Sequence, residues 1–212
     1  MTFTVLLLLA SLPSAIAAQF DIPGPPGSIE FGAEVAVLPN GNIVVVDPEG
    51  PGAVHLYGTE GVLISTLTGG KADDRIGNRG ITVLGSGHFV VSSTNWDSDT
   101  IINVGAVTWI NADTGLNGVV SATNSLVGSS IDDRVGDVTA LENGNYVVSS
   151  PNWSNGGIEA VGAVTWANGN SGLSGPVSPA NSLIGSTADD QIGNEGVVAL
   201  SNGNYVVASA SW

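Results

Sequence analysis

Val104-Gly-Ala-Val-Thr-Trp109 recurs as Val161-Gly-Ala-Val-Thr-Trp166, and this pair of VGAVTW segments decides how the rest of the chain is read. The offset separating Val104 from Val161 also relates Asn95-Trp96 to Asn152-Trp153, Asn124-Ser125-Leu126 to Asn181-Ser182-Leu183, and Asp132-Asp133 to Asp189-Asp190. Chance does not produce four matched pairs at one offset, so the chain is a tandem repeat. Working outward, a turn followed by a Val-Val run occurs four times: LPNGNIVVVD ending at Asp47, LGSGHFVVSS ending at Ser93, LENGNYVVSS ending at Ser150 and LSNGNYVVAS ending at Ser209.

Each of these blocks reads as a β-hairpin. A short apolar run ends at Leu38, Leu84, Leu141 or Leu200, a polar turn holds Gly41, Gly87, Gly144 or Gly203, and a β-branched or aromatic run follows. Asn-Gly in three of the copies predicts a tight type I′ turn. GAVHLY, GAVTWI and GAVTWA supply a third strand, and VLISTL, NSLVGS and NSLIGS a fourth, between Gly, Asn and Ser loops that end any helix. The expected fold class is therefore all-β, built of β-propeller repeats with four-stranded antiparallel blades, about three and a half of them in an incomplete ring. The units are placed at about 31–75, 76–134, 135–191 and a partial 192–212. Three and a part blades fall short of the roughly four to eight of a closed propeller. The chain is accordingly expected to be a piece of a longer repeat protein, or one that completes itself by association, with two open blade faces and an open strand edge that favour aggregation when it stands alone.

Residues 1–18, MTFTVLLLLASLPSAIAA, carry an apolar run, a break at Pro13 and small residues Ala15 and Ala17, which reads as a signal peptide cut after Ala17 or Ala18. The run is too short for a bilayer, which needs about 20 apolar residues. The expected destination is secreted, extracellular or at the cell surface, with no membrane span. Residues 19–30 hold three prolines and two glycines and form a stiff spacer. The 212 residues contain 19 acidic and four basic side chains, for a net charge of −15, so no basic patch exists to neutralise a phosphate backbone and nucleic acid is not an expected partner. With no cysteine and two histidines, thiolate metal sites and cysteine nucleophiles are excluded and imidazole chemistry has little material.

Phe31-Gly32 opens the first unit and Ile76-Gly77, Val135-Gly136 and Ile192-Gly193 stand in the equivalent places, each ahead of a hairpin and a Gly-Ala-Val strand. These marks resemble the FG-GAP repeat of integrin-α-type propellers, in the degenerate form found in large bacterial haemagglutinin-like secreted proteins. The first unit, with LPNGNIVVVD and GTEGVLISTL, also resembles an NHL repeat. The resemblance implies a non-catalytic extracellular binding or adhesion module, with a protein or glycan ligand and further repeats of the same longer protein as partners. It implies calcium where a D-x-D-x-D-G loop is present; the turns here read PNGN, GSGH, ENGN and SNGN, so no cofactor is assigned.

The candidate residues divide by chemistry. Asp74, Asp133 and Asp190 end the Asp pairs 73–74, 132–133 and 189–190; they are candidate metal ligands, but a carboxylate accepting backbone N–H groups in an inter-unit turn is the favoured role, with its neighbour solvated. Trp109 and Trp166 read as packing between units, while Trp96 and Trp153 stand open between packing and ligand contact. The variable loops after Trp96 and Trp153 carry the expected contact surface, Trp96, Asp97, Asp99, Trp153, Asn155 and Glu159. His55 and His88 replace a Thr and an Asn of the repeat and read as tolerated substitutions. The alternative reading is a propeller-type metal-dependent hydrolase or lactonase, which would need acids such as Glu30, Glu34, Glu49, Glu60 and Glu159 to converge on an axis.

Overall fold

The computed structural model describes residues 21–212, so the expected leader 1–18 and the first two spacer residues lie outside the described residues. Among the described residues every regular element is a strand, and no helix is long and apolar enough to cross a membrane. The first unit comprises β1 (Glu34–Val37), β2 (Ile43–Asp47), β3 (Ala53–Tyr57) and β4 (Leu63–Thr68). The second comprises β5 (Ile81–Val83), β6 (Phe89–Ser93), β7 (Ala106–Ile110), β8 (Gly118–Val119) and β9 (Leu126–Val127). The third comprises β10 (Asp137–Ala140), β11 (Tyr146–Ser150), β12 (Ala163–Ala167), β13 (Gly175–Pro176) and β14 (Ser182–Ile184). Hairpin β15 (Val197–Ala199) and β16 (Tyr205–Val207) closes the list. The sheet orders are β1-β2-β3-β4, β5-β6-β7-β9 and β10-β11-β12-β14, all antiparallel, so sequential strands are spatial neighbours.

These short Val- and aromatic-rich strands pair into sheets, of which the second and third bury both faces between their neighbours. Phe89 and Val91 of β6 pack with Val44, Val46, Leu56 and Leu67 of the first sheet, whereas the intervening Val90 packs with Tyr146 and Val148 of the third. Val147, between those two, joins Val197, Ala199 and Val207 of the last hairpin. The two-residue periodicity of a strand thus assigns alternate side chains to the preceding and following units. A single unit has no core of its own. The first strands also lie side by side, β1 against β5, β5 against β10 and β10 against β15.

Two features differ from the expectation. The Asn-Gly turns are not type I′: Gly41, Gly144 and Gly203 have φ near 82–87°, but Asn40, Asn143 and Asn202 are not left-handed. Leu38 N–H donates to Asn42 O and Gly41 N–H to Leu38 O, both at 2.8 Å, and the pattern repeats at Leu84, Leu141 and Leu200. This is a three-residue loop, a type I turn closed by a glycine bulge. Within this loop the side-chain Oδ1 of each of Asn40, Asn143 and Asn202 accepts the N–H two residues on.

The second difference is a pair of strands the repeat pattern did not announce. β8 leaves the second unit to pair in parallel with β4 of the first, and β13 leaves the third to pair in parallel with β9 of the second. Each is the tip of an arm, Asn111–Ser121 or Asn168–Ser178, reading NADTGLNGVVS and NGNSGLSGPVS. The arms interlock consecutive sheets.

Candidate functional site

The Asp turns set the loops. In all three, Oδ2 of the second Asp accepts the N–H groups four and three residues earlier: Gly70 and Lys71 on Asp74 (2.7 and 2.8 Å), Ser129 and Ser130 on Asp133 (2.7 Å each), Ser186 and Thr187 on Asp190 (2.8 Å each). Oδ1 reaches the residue after the buried tryptophan, accepting from Asp97 N–H at 3.1 Å on Asp74 and from Ser154 N–H at 3.0 Å on Asp133. Glycine opens each turn for a steric reason: a Cβ at Gly69, Gly128 or Gly185 would meet a backbone oxygen at 2.2–2.3 Å.

Asp74, Asp133 and Asp190 are buried, one to a turn, while Asp73, Asp132 and Asp189 are exposed. Burial raises the Asp133 carboxyl, against three backbone hydrogen bonds that lower it. Asp132 is held below the usual carboxylate range by hydrogen bonds from Asn103 and Arg134. Among the described residues no group of three or more His, Asp or Glu is gathered to hold a metal. Nor do the acids of the hydrolase alternative meet: Glu34 accepts Ile81 N–H, and Glu49 pairs with Arg75 at 2.8 Å.

The expected contact surface is only partly a surface. Trp96 and Trp153 are 7% and 2% exposed and belong to the inter-sheet cores, so both indoles pack between sheets. The indole follows the second strand where the chain turns inward, and burying its large ring outweighs display. Asp99 and Glu159 are exposed; Asp97 and Asn155 are half-buried. Asp97 accepts Asn103 N–H at 2.7 Å, and Asn155 and Ile158 exchange backbone hydrogen bonds. The packing assigned to Trp109 and Trp166 divides. Trp109 donates its Nε1–H to Gly169 O at 2.9 Å beneath the third unit's arm, whereas Trp166 is 44% exposed.

The two variable loops differ in what lies over them. Lys71 Nζ donates to Ser98 O and to Asp99 O, pinning loop 97–103 to the preceding turn. At the equivalent place by the third unit no lysine stands, and a cleft of about 510 Å³ opens, lined by Ile131, Asp132, Asn152, Gly156, Glu159 and Ala160 among others. Two carboxylates, an amide and backbone groups can hydrogen-bond a hydroxyl-rich or cationic ligand. Sequence reading missed Asp132, Asn152 and Ile131 as cleft walls; the signal was available in the charge change from Lys71 to Ser130 at matched turn positions.

The histidines are structural. His55 Nδ1 lies 3.0 Å from Thr66 Oγ1, its ring between Phe31 and Tyr57; burial lowers its pKa although Asp47 opposes this. Thr108–Ser125 and Thr165–Ser182 make the same cross-strand bond at 2.7 Å in the other units. His88 Nδ1 accepts Ala112 N–H at 3.2 Å, holding the base of an arm.

A family model described as a repeat of unknown function (DUF5650) matches residues 83–137, 140–194 and 199–212. Each match begins as a first strand gives way to its hairpin turn. No curated protein matches the chain.

Proposed function

The chain belongs to the DUF5650 family of repeats of unknown function, and from that premise we propose that it is a secreted, non-catalytic module whose sheets are propeller blades and whose loops bind an extracellular protein or glycan. The observation that carries this reading is the fate of the recurring carboxylates. Asp74 and Asp133 hold backbone amides of the variable loops in place and so build a rigid platform under them, where acidic groups at Asp132 and Glu159 border an open cleft, while Asp190 ties its own turn. The side-by-side first strands support the blade assignment, since in a propeller those strands surround the axis. The FG-GAP-like marks at Ile76-Gly77 and Ile192-Gly193 fit the same reading, because Ile76 and Ile192 bridge in parallel to Gly52 and Gly162, immediately before the third strand of the preceding unit.

With a net charge of −15, the module favours basic or neutral partners. The test is binding of the chain to arrayed glycans and immobilised extracellular proteins, with Glu159→Lys as the comparison. The expected result is a partner whose binding weakens severalfold on charge reversal. Binding indifferent to that reversal would remove the cleft from the proposal, and turnover of ester or lactone substrates in calcium or zinc would replace it with the hydrolase reading.

A further inference from the structure

The outer edges of β14 and β16 are the one place where the arm pattern is present as an acceptor without its arm among the described residues. On the edge of β4, Val120 N–H donates to Thr68 O at 3.0 Å, Leu116 N–H to Ser65 Oγ at 3.1 Å, and Thr66 N–H to Asn117 Oδ1 at 3.0 Å. On the edge of β9, Gly175 N–H donates to Ser125 O at 3.0 Å and Val177 N–H to Val127 O at 2.9 Å. The matched leucines show what the arm and its unit cover: Leu67 is 0% exposed, Leu126 1%, and Leu183 in β14 57%. Leu56 and Trp109 follow the same course to Trp166. β16 likewise pairs only with β15, where β6 and β11 each carry a third strand. Between the two bare edges runs an apolar cleft of about 190 Å³, lined by Leu183, Ile184, Ile192, Val207, Ser209 and Trp212.

We infer that these two edges form a composite docking site for one strand-plus-arm segment of this same repeat. Its GAVTW strand adds antiparallel to β16, and its G-L-x-G-x-V arm reaches back to pair in parallel with β14. Continuity with the two interlocks already in the molecule identifies the occupant. In both, the segment that leaves the third strand of one unit runs onto the fourth strand of the unit before. Charge agrees: residues 162–178, GAVTWANGNSGLSGPVS, carry no ionisable side chain, so docking on a strongly acidic chain meets no repulsion. Backbone hydrogen bonds supply affinity, and the Val of the arm, buried in the observed copies, with the half-buried Leu beside it, supplies specificity.

The experiment uses the whole chain and a synthetic peptide of sequence 162–178, with amide exchange read at Ser182–Ile184 and Tyr205–Val207. The expected result is slowing at both edges by roughly tenfold or more at saturation. A shorter peptide, 162–168, should slow β16 alone, and the full peptide with L173D and V177D should lose the effect on β14. No slowing at either edge, equal slowing of β14 by the substituted peptide, or edges already protected by self-association of the chain would each overturn the inference.

Discussion

The link from β3 to β4 in the first unit and the links from β7 to β9 and β12 to β14 in the next two solve the same connection in opposite ways. The first returns at once: Gly58 N–H donates to Val62 O at 2.8 Å and Gly61 N–H to Gly58 O at 2.9 Å, a second glycine-bulge hairpin. The others leave their sheet, cross to the preceding unit and come back. The tight turn only closes a strand pair, whereas the arm converts a surface loop into inter-unit core, placing Val120 and Val177 at 3% exposure. Cohesion between these sheets therefore has two sources, the strand faces that pack on one another and the arms that cross between units.

Exchanging the two devices gives the largest effect. Replacing Asn111–Ser121 by the Gly58–Val62 turn removes Leu116 and Val120 from the first inter-sheet core. The expected loss is about 2–4 kcal/mol, at about 1.5–3 kcal/mol for buried Val120 and about half that for half-buried Leu116. A urea midpoint for residues 21–212 measures it. An unchanged midpoint would mean that the arm follows the packing of the sheets and contributes nothing to it.

The Asp turn is the next test, because it appears beside both kinds of link. Asp133→Ala strips three N–H groups of their acceptor and should cost about 3–5 kcal/mol. Asp132→Asn, one position earlier and exposed, should stay within about 0.5 kcal/mol. Equal losses would mean that the carboxylate network reaches through Arg134 and Asn103, whose side chains bond Asp132.

How far the sequence was legible follows from these same residues. The hairpins and third strands were legible because Val-rich runs and the Gly41, Gly144 and Gly203 turns signal locally. The arms were not. Gly118 and Gly175-Pro176 have little strand preference, Val119 alone gives no alternating run, and the partners lie about a repeat away, so only tertiary pairing makes these segments strands. The turn type was misjudged because Asn-Gly fits two hairpins, and the loop length that separates them depends on where Leu38 and Asn42 pair. Tryptophan exposure was beyond reach in principle: Trp109 and Trp166 share one local sequence and differ in what lies above them. For the contact surface, Asp99 and Glu159 were legible as polar loop residues, but the cleft beside Glu159 depends on a turn from the preceding unit.

His55 makes a third contrast between the first unit and the others, and it is legible in pH. Its folded pKa lies below the ordinary value of 6.5, so its stabilising contribution is complete above that pH and is lost as pH falls through the folded value. Asp133 works in the opposite sense and lower down, its raised carboxyl adding stability as pH falls towards 3.8. His55→Thr restores the hydroxyl pair of the other units. Urea midpoints at about pH 7.5 and about pH 5 should lie closer together in this variant than in the unmodified chain. Parallel shifts would assign the acid sensitivity elsewhere.

The smallest effect separates the units by backbone alone. Gly50, Asn103 and Ala160 occupy one position, φ 66°, 52° and 47°, where each carbonyl accepts the N–H of left-handed Arg75, Arg134 or Gln191 across the junction. Glycine adopts this conformation freely and asparagine with little strain, but alanine pays about 1–2 kcal/mol for it. Ala160→Gly relieves that strain and gives back about 0.5–1 kcal/mol in unfolded-state entropy, leaving a net gain of about 0.5–1 kcal/mol. Gly50→Ala should lose a similar amount from the first unit, so the two substitutions shift the urea midpoint in opposite directions. If both destabilise, the junction at Ala160 depends on its methyl group, and the third unit is held by packing that the first does not have.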